Sequence, residues 1–206
     1  MKEVVVYLEG GGDTKETQAQ LRQGMDTFFR PLKALADSKG WRWRLVALGG
    51  RDQTFRRWSK AVTAEPETLH VLLVDAEEAA TRPPCEHLRQ RVGDGWQIDP
   101  ALEPQVHLMV QCMETWLVAD PDALAAYYGQ HFERGRLPNR ANLEEEPKSD
   151  VYRALELATK KTPKGVYGKI RHASALLARI DANRARARCP HCERLFATLT
   201  DRFEAA

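Results

Sequence analysis

Two runs of residues, KEVVVYL at 2–8 and LHVLLV at 69–74, are too continuously apolar to lie with one face in water. Strands of that kind belong in a parallel sheet covered by helices on both faces. Residues 41–48 and 106–110 read as two further strands. Between the strands the pattern turns helical. Residues 14–38 carry Leu21, Met25, Phe28, Phe29, Leu32 and Leu35 on one stripe, and 52–62 also reads as a helix. Strand alternating with helix predicts βαβ units with right-handed crossovers. The expected fold class is therefore α/β, with a parallel sheet of about four strands flanked by helices. Ligands in such sheets bind beyond the carboxyl ends of the strands.

The rest of the chain is arranged around that sheet. Residues 79–104 form a polar connection rich in Pro and Gly, long for its kind. Short helical segments follow at 113–118 and 122–128, and PNRANLEEEP reads as part of a linker. Helices are expected at 149–160, 167–180 and 190–203. The predicted organisation is an α/β domain over 1–134, a linker over 135–148 and a basic helical extension over 149–206, packed on the first domain.

Net charge is only +2, but it is unevenly spread, with twelve Lys or Arg against four Asp or Glu between positions 148 and 194. Such asymmetry suggests a polyanion partner for this third of the chain; the plainer alternative is a set of solvated helix faces. No apolar run approaches the roughly 18 residues of a membrane span, and no signal-peptide pattern opens the sequence. With four irregularly spaced cysteines, the expected setting is the cytoplasm, without a membrane partner.

Acids stand at or near three strand ends. Glu9 ends the first strand and Asp75 the third, Glu77 lies two residues beyond Asp75, and Glu114 follows the fourth. In a parallel sheet these ends point one way, and an extended Asp75-Ala76-Glu77 puts both carboxylates on one side. Clustered carboxylates repel unless a cation neutralises them, and hard oxygen ligands suit Mg²⁺ or Mn²⁺. A divalent ion there can polarise a phosphoryl oxygen and activate water. The glycines after Glu9 do not make a phosphate loop. GGGDTK matches neither G-x-x-x-x-G-K-[ST] nor G-x-G-x-x-G. They fit a tight turn that lets Glu9 and Asp13 face one site. Asp13 has a second reading as cap of the following helix.

Glu9-Gly10-Gly11-Gly12-Asp13 after a hydrophobic strand, and Asp75-Ala76-Glu77 after another, resemble the Toprim domain of topoisomerases, bacterial primases, OLD-type nucleases and certain ribosomal-RNA-maturing nucleases. HLMVQCMETWLVADPDAL at 107–124 and CPHCERLFATL near the C-terminus sharpen the likeness. Together they resemble a bacterial Toprim-like family of unassigned function, encoded beside ABC- or SMC-type ATPases in phage-defence clusters. The resemblance implies metal binding by Glu9, Asp75 and Glu77, with Asp13 and Glu114 as further ligands. It also implies a lysine near the metals, for which Lys169 is the candidate, with Lys164 and Arg171 as alternatives. The implied activity is Mg²⁺- or Mn²⁺-dependent cleavage of DNA or RNA in antiphage defence, with an ATPase partner. The alternative is a non-catalytic subunit that binds nucleic acid or a partner in an ATPase complex. This sequence departs from the D-x-D form in having Glu77, with Glu78 next to it as a rival for the inward position.

Cys189-Pro190-His191-Cys192 has the form of a thiol oxidoreductase site, but it follows a basic stretch rather than a strand that opens a βαβ unit. The expected role is a helix start, with Cys192, Leu195, Phe196 and Leu199 facing the core. Trp96, in the polar connection, is the tryptophan best placed to stack on a base. His172 reads as a surface or packing residue; the sharper alternative is a phosphate or base contact by His172, Lys169 and Arg171 on one basic helix.

Overall fold

The computed structural model describes residues 2–205. Four strands form a parallel sheet in the order β2-β1-β3-β4: β1 (Lys2–Leu8), β2 (Trp41–Ala47), β3 (Leu69–Asp75) and β4 (Val106–Met109). The fold is α/β, the sheet is flanked by helices, and further helices make up the C-terminal part. Alternation along β1 shows why its apolar run is continuous. Val4, Val6 and Leu8 enter the larger core, and Val5 and Tyr7 enter a smaller one on the opposite face. Neither face is left for water, as a covered parallel sheet requires.

The larger core is roofed by α1 (Lys15–Phe28), α2 (Arg30–Ser38), α8 (Lys169–Leu177) and α10 (Pro190–Glu204). The smaller one lies under α3 (Arg51–Ala64) and α4 (Pro84–Gln90). Short helices α5 (Glu114–Val118), α6 (Pro121–Tyr128), α7 (Lys148–Thr159) and α9 (Ala182–Arg188) complete the chain. Val151, Leu155, Ala185, Phe196 and Leu199 join the same core as Val4 and Leu73. Phe28 stacks on Trp116 and meets Phe196 edge-on, at ring centroid distances of 5.1 and 5.9 Å.

Three local expectations change. The helix expected over 14–38 breaks at Phe29 into α1 and α2, because Pro31 has no N–H to donate and its ring crowds the carbonyl four residues back. The connection at 79–104 contains α4, opened by Pro84 at its first position, and a 3₁₀ turn at Pro100–Gln105. The segment between the last two expected helices holds α9, capped by the Asp181 side chain. Among the described residues no helix is long and apolar enough to cross a membrane.

The strand order also locates the site. The chain leaves β1 toward β2 on one side and returns to β3 on the other, so β1 and β3 flank the topological switch point. Crevices at such points lie beyond the strands' carboxyl ends. Leu8 pairs with Leu73, which brings Glu9 and Asp75 to the same crevice.

Candidate metal centre

Beyond β1 the chain turns on three glycines whose φ values are +108, +89 and +66°, a region costly for any residue with a Cβ. Gly10 exchanges backbone hydrogen bonds with Gly49 after β2 (2.9 and 3.2 Å), and a Cβ on Gly49 would lie 2.5 Å from the Gly12 carbonyl. The turn thus needs glycine for its conformation and for close approach of two loops. It does not bring Asp13 into the group of acids that gathers in the crevice. Asp13 is exposed, and the cap of α1 is Thr14, whose hydroxyl accepts from the Thr17 N–H.

Glu9, Asp75 and Glu77 each offer a carboxylate oxygen, all within 4.8 Å of one another, and they form the one such group among the described residues. Each is positioned differently. Glu9 Oε2 accepts from Arg51 Nη1 (2.7 Å) and from the Asp75 N–H (3.1 Å). Asp75, at the end of β3 and 2% exposed, accepts at Oδ1 from the Met113 N–H (2.8 Å), and Lys169 Nζ lies 3.3 Å from its Oδ2. Glu77 reaches the group through a turn instead of strand alternation. Its φ is +70°, and its N–H donates to the Gln111 carbonyl (2.7 Å). A glutamate held in that region costs on the order of 1–2 kcal/mol, and such strain gathers at functional sites. Glu78 is exposed, so the inward glutamate is Glu77.

Glu114 is fully buried at the start of α5. Its Oε1 accepts from the Tyr167 hydroxyl (2.9 Å). Its Oε2 has no hydrogen bond among the described residues and faces Lys169 Nζ at 3.8 Å. Glu114 therefore lies one lysine away from the cluster. Lys169 opens α8 between Asp75 and Glu114. Of its two rivals, Lys164 lies 4.8 Å over the Tyr127 ring and Arg171 is exposed.

The electrostatics fit a cation. Burial, then the nearby Asp75 charge, push Glu9 up to about 7 against the pull of Arg51. Burial also raises Asp75, with Lys169 opposing it. Burial would raise Glu77 too, but Lys148, with Nζ 2.5 Å from Oε2, holds it below its usual range. Burial disfavours the Lys169 ammonium, yet Asp75 and Glu114 outweigh it, so Lys169 stays charged. Glu9 and Asp75, which resist ionising together, and an ionised Glu77 beside them form a crevice of hard oxygen donors that matches what a divalent ion would bind.

Several partners escaped sequence reasoning. Arg51 donates to Glu9, to the Asp75 carbonyl (2.6 Å) and twice to Asp94 (2.7 Å each). Its position just after Gly49-Gly50, at the end of β2, was the available signal. Trp96 is 6% exposed, stacks on Phe55 at 4.1 Å and supports the Arg51 guanidinium at 5.0 Å, so it is a wall and not a base platform. Lys148 lay within the basic stretch with nothing to mark it.

The other motifs are structural. Cys189 and Cys192 are 0% exposed, and burial raises both thiols well above the ordinary range. His172 accepts from the Gly168 N–H (3.1 Å) amid Tyr127, Tyr128 and Tyr167. Within the basic stretch, Lys148, Lys161, Lys169, Arg184, Arg186 and Arg194 are ion-paired to acids of the chain. Arg153, Lys160 and Arg171 are exposed.

A family model described as "Domain of unknown function (DUF4276)" matches residues 8–200. No curated protein matches the sequence. Two similar solved structures are both of the C-terminal region of the OLD protein of Xanthomonas campestris pv. campestris. The platinum-phased one is 17% identical, with TM-score 0.49, over 99% of this chain and 94% of that one. The mercury-phased one is 15% identical, with TM-score 0.48, over 98% and 96%.

Proposed function

The chain belongs to the DUF4276 family, and we propose that it is a metal-dependent nuclease that hydrolyses phosphodiester bonds of DNA or RNA. The observation that carries this reading is the meeting of Glu9, Asp75 and Glu77 within 4.8 Å at a switch-point crevice. These residues would hold Mg²⁺ or Mn²⁺ through hard oxygen ligands. A divalent ion, when bound, supplies Lewis acidity toward a phosphoryl oxygen and favours ionised water.

The chain's own groups do the positioning. Met113 and Lys169 fix the two Asp75 oxygens, and Arg51 fixes Glu9. Lys169 keeps a positive charge at the crevice, where it can offset negative charge that grows on phosphate. Lys169 and Ile170 line the crevice together with Gly10, Gly11 and Thr17. The sequence resemblance to Toprim-like proteins supports the wider setting we propose, a cytoplasmic antiphage system with an ABC- or SMC-type ATPase as partner.

One observation favours a second reading. Each acid already has an internal cation, Arg51, Lys169 or Lys148. A non-catalytic binding subunit would need no more than that. Incubation of the purified chain with Mg²⁺ or Mn²⁺ and labelled DNA, RNA and tRNA separates the two. The nuclease reading expects cleavage that falls by at least about 100-fold in Glu9→Gln and Asp75→Asn. Both variants cleaving at the wild-type rate would sink it.

A further inference from the structure

The three acid–cation pairs of the centre differ in how firmly they are built. Arg51 is held by Asp94 and the Asp75 carbonyl as well as by Glu9. Lys169 stands between Asp75 and Glu114, both buried. Lys148 has one carboxylate partner, Glu77, and the Glu77 carboxylate has no other hydrogen bond among the described residues. The side chains of this pair are 29% and 26% exposed.

Their backbones are fixed by one residue. The Glu77 N–H donates to the Gln111 carbonyl, and the Lys148 N–H donates to Gln111 Oε1 at 3.1 Å. The ion pair can therefore open by side-chain rotation, with both backbones anchored. An ammonium on a flexible stem loses no bidentate geometry when it swings away, as a guanidinium would.

We propose that Lys148 is a displaceable counter-ion. It holds Glu77 until a divalent ion enters the centre, and the freed ammonium then takes an anionic phosphate of the nucleic acid. This rests on the nuclease reading. A cation bonded to a ligand oxygen competes with a metal for that oxygen, so its removal strengthens metal binding. Its loss also removes a phosphate contact.

Calorimetric titration of the full chain with Mn²⁺ tests the first half. Lys148→Met, which keeps the bulk of the stem, should bind Mn²⁺ about 10-fold more tightly than wild type. Lys148→Arg should bind no more tightly than wild type. Binding of a phosphorothioate oligonucleotide to the Mn²⁺-loaded chain tests the second half, and Lys148→Met should weaken it about 10-fold. If Lys148→Met melts early, Lys148→Gln gives the same readouts. Neutral variants that bind Mn²⁺ no more tightly than wild type, or that bind the oligonucleotide equally well, overturn the proposal. A wild-type chain that binds no Mn²⁺ overturns it together with the metal centre. Wild-type protein that binds Mn²⁺ but no oligonucleotide sinks the nuclease reading, and with it the phosphate half of this one.

Discussion

Arg51 and Lys169 approach the acids from opposite faces of the sheet, and they are held by different means. Arg51 comes from the side of the smaller core and is fixed locally. Asp94 grips it with two hydrogen bonds, Arg91 in turn holds Asp94 at 2.9 Å, and Trp96 lies against its plane. Lys169 comes from the side of the larger core and has no such scaffold. Its place depends on where α8 lies against α1. That docking is closest at Gly24, where a Cβ would sit 2.4 Å from the Ser174 carbonyl. The arginine is thus placed by hydrogen bonds and the lysine by helix packing. Damage to the two sides should look different.

The largest effect is expected on the arginine side. The Asp94 side chain is 1% exposed, and Asp94→Asn removes the charge that pairs with Arg51 and Arg91. Loss of one partner of a buried pair costs about 3 kcal/mol. The melting temperature should drop accordingly, while Lys169 keeps its contact with Asp75. An unchanged melting temperature would mean that Arg51 does not depend on Asp94.

Acid should weaken the lysine side first. Burial holds His70, His107 and His172 below the ordinary histidine value, with His107 pushed down to about 3. His107 packs under Arg194 of α10 and His172 lies within α8, whereas His70 faces Tyr7 in the smaller core. An unfolded imidazole takes up a proton near pH 6.5 that the folded one refuses. Each contributes stability that is complete above about pH 6.5 and is lost as pH falls below it, for His107 down toward pH 3 at about 1.4 kcal/mol per pH unit. Glu9, pushed up to about 7, contributes with the opposite sign over the same range, so the comparison is regional: between pH 8 and 5, hydrogen exchange should rise earlier in α8 and α10 than in α3. Exchange that rises no earlier there would exclude it.

Gly24→Ala should be the mildest. The new methyl meets backbone, so α8 must shift, at about 2 kcal/mol or roughly 4–8 °C. Because Lys169 rides on α8, cleavage should fall along with stability, and Mn²⁺ binding through Glu9 should be largely kept. Stability lost with cleavage intact would separate Lys169 from the packing of α8.

The same contrast explains what the sequence could tell. β1 and β3 were legible because burial on both faces leaves no room for polar alternation. Glu9 and Asp75 were legible with them, since strand ends in a parallel sheet share one direction. Asp13 was ambiguous because the path of a three-glycine turn is set by positive φ and by a neighbouring loop at Gly49, which local pattern does not reveal. Arg51 and Lys148 reach the acids, and Asp94 reaches Arg51, across 24 to 71 positions of sequence. Such contacts depend on helix placement, which periodicity does not encode. Pro31 was the signal for the break between α1 and α2, but the apolar stripe that runs past it reads as one helix.

The four cysteines have a practical consequence. All are free and buried, and burial raises each thiol, Cys85 to about 12 and the others further. On the folded chain they offer an alkylating dye no ready thiolate. Val92, 94% exposed, sits two positions before Asp94. A cysteine placed there would carry a single fluorophore next to the arginine scaffold, giving an optical readout of that loop without removing any native thiol.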